Sequence, residues 1–309
     1  MDYQRTTLAM IALTISGLLS ACCCESDDLE SIAEGVEEAV EEGDEESDEG
    51  TDEGADKGGS ATGADEGGSA TGEGRFKVRY SDPGGKKLNK YHKILKEDGV
   101  IDEIVEAVNA AIALPVDVTI KVQSGDGPLY DPQERAIYYN HEFLDEVDGL
   151  IGQHLEDMSA EDRKTFLIDV TAFVLLHEIA HALIDVLKLP VVGKEEDAAD
   201  GLATIFVTEL YEEGAEMALT NAELFDIEAA NAGDFEEEDF WDEHSLNAQR
   251  FASIVCWVYG SDPDKHDSFL KEEIIPEETA ERCPEEYAQQ RKSWLQLLKP
   301  HTRPGALDL

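Results

Sequence analysis

An α+β domain is what the sequence predicts, and three observations carry it. Short segments of alternating polarity stand between residues 76 and 140, helical periodicity fills nearly everything after His141, and the first 74 residues offer no core. The chain has 309 residues, 41% of them hydrophobic, enough for one or two domains around a sizeable core.

The elements follow in order. FKVRY (Phe76 to Tyr80) alternates like a strand. HKILKEDGVIDEIVEAVNAAIAL has helical spacing, broken at Gly99 and ended at Pro115. VDVTIKV (Val116 to Val122) reads as a second strand, Tyr130 to Pro132 as a turn, and AIYYN (Ala136 to Asn140) as a third strand. His141-Glu142 opens a helix. Ser159, with Asp162 three residues on, opens the next, which runs through FLIDVTAFVLLHEIAHALIDVLKL and stops before Pro190. Asp169, His177, Glu178, His181, Asp185 and Lys188 interrupt it too often for a membrane span, so it reads as a core helix. Another helical pattern covers Glu195 to Phe206, and SLNAQRFASIVCWVYG, from Ser245, is a further helix. Trp241, Trp257 and Trp294 read as packing residues.

The N-terminal part is of another kind. Arg5 precedes the apolar run TLAMIALTISGLL, which ends in Leu19-Ser20-Ala21-Cys22. That describes a signal peptide over residues 1–21. Its ending resembles the lipobox of bacterial lipoproteins, which implies lipidation of Cys22 and a protein exported and lipid-anchored in the cell envelope. Cys23 is not the aspartate associated with inner-membrane retention, so sorting to the outer membrane follows if the host has two membranes. An uncleaved anchor or an ordinary secreted signal are the competing readings. From Glu25 to Gly74 the chain is Glu, Asp, Gly, Ser, Ala and Thr with almost no large apolar side chains, and it holds the duplication GADKGGSAT and GADEGGSAT between Gly54 and Thr71; residues 22–74 are read together. Such a segment cannot bury enough surface to offset its chain entropy; it reads as a disordered acidic tether ahead of a folded domain over residues 75–305.

Net charge is −47, from 71 acids against 24 Lys and Arg. Twenty acids and one lysine between Glu25 and Gly74 account for −19 of it, leaving −28 elsewhere, so the folded part is acidic too. Phosphates would be repelled, which argues against nucleic acid as a partner. A salty habitat or a highly soluble surface both fit. Five cysteines fall into the run Cys22 to Cys24 and the pair Cys256 and Cys283. In an exported protein the distant pair suggests a disulfide, worth roughly 3–4 kcal/mol in the chain-entropy model; two buried free thiols are the alternative.

The chemistry lies in LLHEIAHALID, Leu175 to Asp185. His177 and His181 are four apart on a helix, so both imidazoles leave one face and can meet one ion. Glu178 beside them can take a proton from a water molecule held there. The flanking residues are apolar, and burying two imidazoles and a carboxylate without partners would be costly. A metal removes that objection. Two histidines do not complete a catalytic zinc site. Glu196 and Asp200, four apart on the next helix, can supply a third ligand and a hydrogen bond to a ligand histidine's outer nitrogen, if that helix returns antiparallel. The plain alternative is a solvated acidic helix start.

HEIAH followed by Glu-x-x-x-Asp is similar to the gluzincin branch of zinc peptidases. More closely, LLHEIAHALIDVLKLPVVGKEEDAAD, DEHSLNAQRF, CWVYGSDP and RCPEEY resemble the bacterial metallopeptidase family known as domain of unknown function 4344, over roughly Phe76 to His301. The resemblance implies a zincin-like fold, Zn2+ on His177, His181 and Glu196, and Glu178 as general base. It also supports the Cys256–Cys283 bridge, since both cysteines sit in family-like motifs. Zincin architecture would put AIYYN at the sheet edge beside the cleft, where an extended peptide adds as another strand.

In DEHS, His244 oriented by Asp242 is the candidate to stabilise the developing oxyanion, set against a helix cap or a salt-bridge cluster. Tyr139 and Tyr211 are weaker candidates for that task. The acidic run Phe235 to His244 would favour basic peptides if it rims the cleft. The sequence thus reads as an exported zinc metallopeptidase acting on peptides or proteins. The rival is a non-catalytic envelope lipoprotein that keeps the fold to bind a partner, against which Glu178 stands, because a scaffold needs no base beside its metal.

Overall fold

A small mixed sheet leads and helices follow in the computed structural model, which describes residues 74–233 and 237–304. The predicted signal peptide, Cys22 and the predicted tether up to residue 73 therefore lie outside the described residues, which all belong to one compact unit. Strand β1 (Phe76–Tyr80) precedes helices α1 (Asn89–Lys96) and α2 (Val100–Ala111). The predicted break between them is at Gly99, whose φ of 81° caps α2 in a conformation that other residues adopt only with strain. Strands β2 (Val118–Gln123), β3 (Leu129–Asp131) and β4 (Ala136–Asn140) complete a four-stranded sheet in the order β1-β2-β4-β3. β1, β2 and β4 are parallel, while β3 runs antiparallel to β4 with Leu129 opposite Tyr138.

On β2 the alternation is plain: Val118, Ile120 and Val122 are fully buried, and Thr119, Lys121 and Gln123 only partly so. AIYYN is not the sheet edge. β4 lies between β2 and β3, and all but one of its residues are buried. The edge is β3, three residues in a stretch that otherwise reads as a turn.

Helix α3 (His141–His154) begins where predicted. Helix α4 (Ala160–Leu187) starts at Ser159, whose side chain accepts a hydrogen bond from the Asp162 N–H, and ends at Lys188 in the left-handed conformation. By length and hydropathy α4 could cross a membrane, but 78% of its apolar window is buried in the protein; it is the core helix. It packs against α2, α3, α5 (Glu195–Leu210) and α6 (Gly214–Ala232) as well as the β3–β4 hairpin. Leu175, Leu176, Ile179 and Leu183 along it are fully buried, each contributing roughly 1.5–3 kcal/mol.

A 3-10 turn (Glu237–Trp241) leads to α7 (Asn247–Ser261), a short α8 (Ser268–Lys271), and α9 (Glu277–Leu298). Cys256 of α7 and Cys283 of α9 form a disulfide with their Cα atoms 5.1 Å apart. Close approach of the two helices depends on Gly260, where a Cβ would lie 2.2 Å from the Cys283 carbonyl oxygen. Trp257 and Trp294 are buried as packing residues, but Trp241 is 82% exposed on its polar 3-10 turn and packs nothing.

Candidate metal centre

Helix geometry brings His177 and His181 together, one turn apart on α4, with ring centroids 4.8 Å from each other. After Lys188 and a short loop, α5 returns alongside. His181 meets Glu195 and Glu196, while His177 meets Glu196 and Asp200, the pairing order of two antiparallel helices. The predicted return is therefore real, and Glu196 arrives at the two imidazoles.

Three atoms converge. His177 Nε2 lies 3.2 Å from His181 Nε2 and 3.1 Å from Glu196 Oε2, and His181 Nε2 lies 3.3 Å from the same oxygen. A tetrahedral zinc with bonds of about 2.0–2.1 Å separates its ligands by roughly 3.3–3.4 Å, so this triangle is close to the right size. The outer nitrogens reinforce the fit. His177 Nδ1 is 2.9 Å from Asp200 Oδ1, and His181 Nδ1 is 2.9 Å from Glu195 Oε1. With an ion bound, each outer carboxylate would take an Nδ1–H and both Nε2 lone pairs would turn inward; without one, the same Nε2 atoms can donate to Glu196. Two imidazole nitrogens and a carboxylate oxygen converging in this way form a donor set for a cation, and these three residues are the ligand group that the described part of the chain assembles.

Charge at the site is arranged in depth. Burial pulls the Asp200 carboxyl up, yet the bonds from Arg250 and His177 outweigh it and hold its pKa at about 2. Arg250 reaches it from α7 with Nε at 2.7 Å from Oδ2 and Nη2 at 2.8 Å from Oδ1. For Glu196, burial again works upward, but hydrogen bonds from His177, His181 and His244 hold the carboxyl well below the usual range. Burial pushes Glu178 up; it is 6% exposed, hydrogen-bonds to no described protein group, and faces the cavity.

His244 stands at the rim. Its Nε2 is 3.1 Å from Glu196 Oε2, and Asp242 Oδ1 orients it, lying 3.2 Å from its Nδ1 and accepting its backbone N–H at 2.8 Å. Lys194 pins this turn by donating to the carbonyls of Asp242 and His244. The DEHS stretch does not cap α7, which starts at Asn247 with Leu246 at its N-cap. His177, Glu178, His181, Glu196 and His244 line one side of a cavity of about 490 Å³, whose other wall is Pro128, Leu129 and Tyr130 at the β3 edge. Tyr139 is fully buried beside Phe143, and Tyr211 lines a separate cavity, so neither joins the site.

Glu195, Lys194 and Arg250 are the partners that the sequence reading misses. Arg250 lay within the DEHSLNAQRF stretch, and a buried, uncompensated Asp200 was the only signal for it.

The model of the family described as "Putative metallopeptidase", domain of unknown function 4344, matches residues 80–298. The chain belongs to that family. No curated protein and no solved structure gives a significant match.

Proposed function

We propose that the protein is a zinc metallopeptidase of the gluzincin type, acting on peptides or proteins in the cell envelope. The observation that carries this is one cavity wall holding the His177–His181–Glu196 triangle with a free, buried carboxylate, Glu178, beside it. Zn2+ held by these three residues would supply the Lewis acidity that activates a water and polarises the scissile carbonyl. Glu178 takes the proton from the attacking water and hands it to the leaving nitrogen, a role suited to a carboxyl that burial has pushed up. His244, held by Asp242, donates to the oxygen on which negative charge develops. Asp200 and Arg250 fix His177, and Glu195 fixes His181. A peptide backbone pairing with the open edge of β3 would lie along the opposite wall. The lipobox-like Cys22 and the acidic tether support an anchored, exported enzyme whose domain reaches away from the membrane.

Metal content by mass spectrometry, on zinc-supplemented purified protein, tests the centre. About one zinc per chain is expected in the parent, with little in His181→Ala or Glu196→Ala. Glu178→Gln should keep its zinc and lose peptide cleavage by at least about a hundredfold. A folded parent without metal would overturn the reading and leave the rival, a scaffold that binds a partner.

A further inference from the structure

We propose that a second cavity, directly behind Glu178, is a selectivity pocket in which Asn221 reads the tip of a substrate side chain. The pocket takes a residue with an apolar body and a neutral end that both donates and accepts a hydrogen bond, tyrosine ahead of phenylalanine. This rests on the peptidase reading for the cleavage, but the binding preference is a property of the pocket alone.

The cavity measures about 170 Å³ and continues from the metal centre, since His177, Glu178 and His244 line it too. Two helices build it with one face each. From α4 come Phe173 and Val174, one turn before His177 and Glu178, and from α6 come Asn221, Leu224, Phe225 and Glu228 at i, i+3, i+4 and i+7. Phe143 of α3 closes the side. Such walls and volume suit a single ring or a chain of similar bulk.

Asn221 is the feature that apolar packing does not explain. It is fully buried in the middle of α6, yet neither its amide nitrogen nor its amide oxygen meets a hydrogen-bond partner in the protein. Leaving both atoms unpaired is costly, and buried amides in native proteins are as a rule satisfied. Asn221 borders this cavity with both polar atoms closed off, so a guest reaches them by a small shift of the amide. A phenol hydroxyl donates to the amide oxygen or accepts from the amide nitrogen; a phenyl ring does neither and seals the amide in. Apart from Glu178 and the histidines, which belong to the metal side, the charged groups of the lining are already engaged. Arg250 lies 3.9 Å over the Phe225 ring with its guanidinium tied to Asp200, and Glu228 accepts from Asn247. The neutral amide is left to discriminate.

Binding can be read without turnover in the zinc-loaded Glu178→Gln protein. Calorimetric titration with blocked Ala-Ala-Xaa-Ala-Ala peptides, Xaa being Tyr, Phe or Arg, should give about tenfold tighter binding for Tyr than for Phe. Asn221→Leu in the same background should abolish that preference without lowering the melting temperature, because it removes an unpaired buried amide. Asn221→Ala, which needs no added room, gives the same readout should the leucine not fit. Equal binding of Tyr and Phe, a preference that survives at Asn221→Leu, stronger binding of Arg, or no binding at all would each overturn the proposal. Selective binding without cleavage by the parent would uphold the pocket and sink the peptidase reading. Cleavage without selectivity would do the reverse.

Discussion

At the scale of single residues, the metal centre depends on which atoms the imidazoles turn inward, and that is set by the carboxylates behind them. Asp200 is 2% exposed and shares its charge between His177 and Arg250, whereas the Glu195 side chain that holds His181 is half exposed. A buried partner cannot be replaced by water, so the two should not matter equally. Asp200→Asn should weaken zinc about 10–100-fold, measured by competition with a chromogenic chelator, and should lower stability because Arg250 loses its counter-charge. Glu195→Gln should cost severalfold less. Equal losses would mean that His177 does not rely on its buried partner. Much of this site was legible in the sequence because its core is local: i, i+4 spacing sets His177 with His181 and Glu196 with Asp200, and a short loop forces the helices to meet. Arg250 and Glu195 were not legible for opposite reasons. Arg250 lies 50 residues from the carboxylate that it neutralises, and Glu195 is one acid in a run of them.

At the scale of elements, α4 shows why a helix this apolar carries polar groups. It is enclosed by helices on most sides, and it opens where β3 and α5 flank the histidines. Strand β3 escaped the sequence reading because three residues between Pro128 and Pro132 have no period to detect. Only pairing with β4 makes them a strand, and that pairing moves AIYYN from the edge to the interior. The α7–α9 pair makes a firmer case. Its disulfide and Gly260 act at one crossing, where the backbone of α9 occupies the space of a side chain on α7. Gly260→Ala must push the helices apart, since the obstacle is a carbonyl rather than a flexible side chain. We expect a loss of about 2 kcal/mol or more in chemical denaturation. Reduction of the disulfide should cost roughly 2–4 kcal/mol. The two losses should be less than additive, because a displaced α9 already strains the bridge.

At the scale of the whole molecule, the net charge of −47 and the buried acids pull stability in the same direction with pH, but by different physics. Surface carboxylates repel one another once ionised, and salt screens that repulsion within about a Debye length. Glu223 is different. It is 4% exposed with one carboxylate oxygen unpartnered; burial, then the nearby charge of Asp226, pushes its pKa up to about 8. Asp169, bonded to Thr220, is pushed by burial up to about 7. A carboxyl whose folded pKa is raised is protonated in the fold while the unfolded chain releases the proton above about pH 4. Unfolding is then favoured increasingly as pH rises from about 4 to the folded pKa, and stability is lost over that window. Glu223→Gln should therefore leave the unfolding free energy near the parent's at pH 5 and raise it at pH 8 or above, by an amount on the order of 2 kcal/mol. The difference between variant and parent should persist in 0.5 M salt, since the group is buried, whereas the rest of the pH slope should shrink. If salt erased the difference, Glu223 would be answering to the surface field, and its burial would not be what raises it.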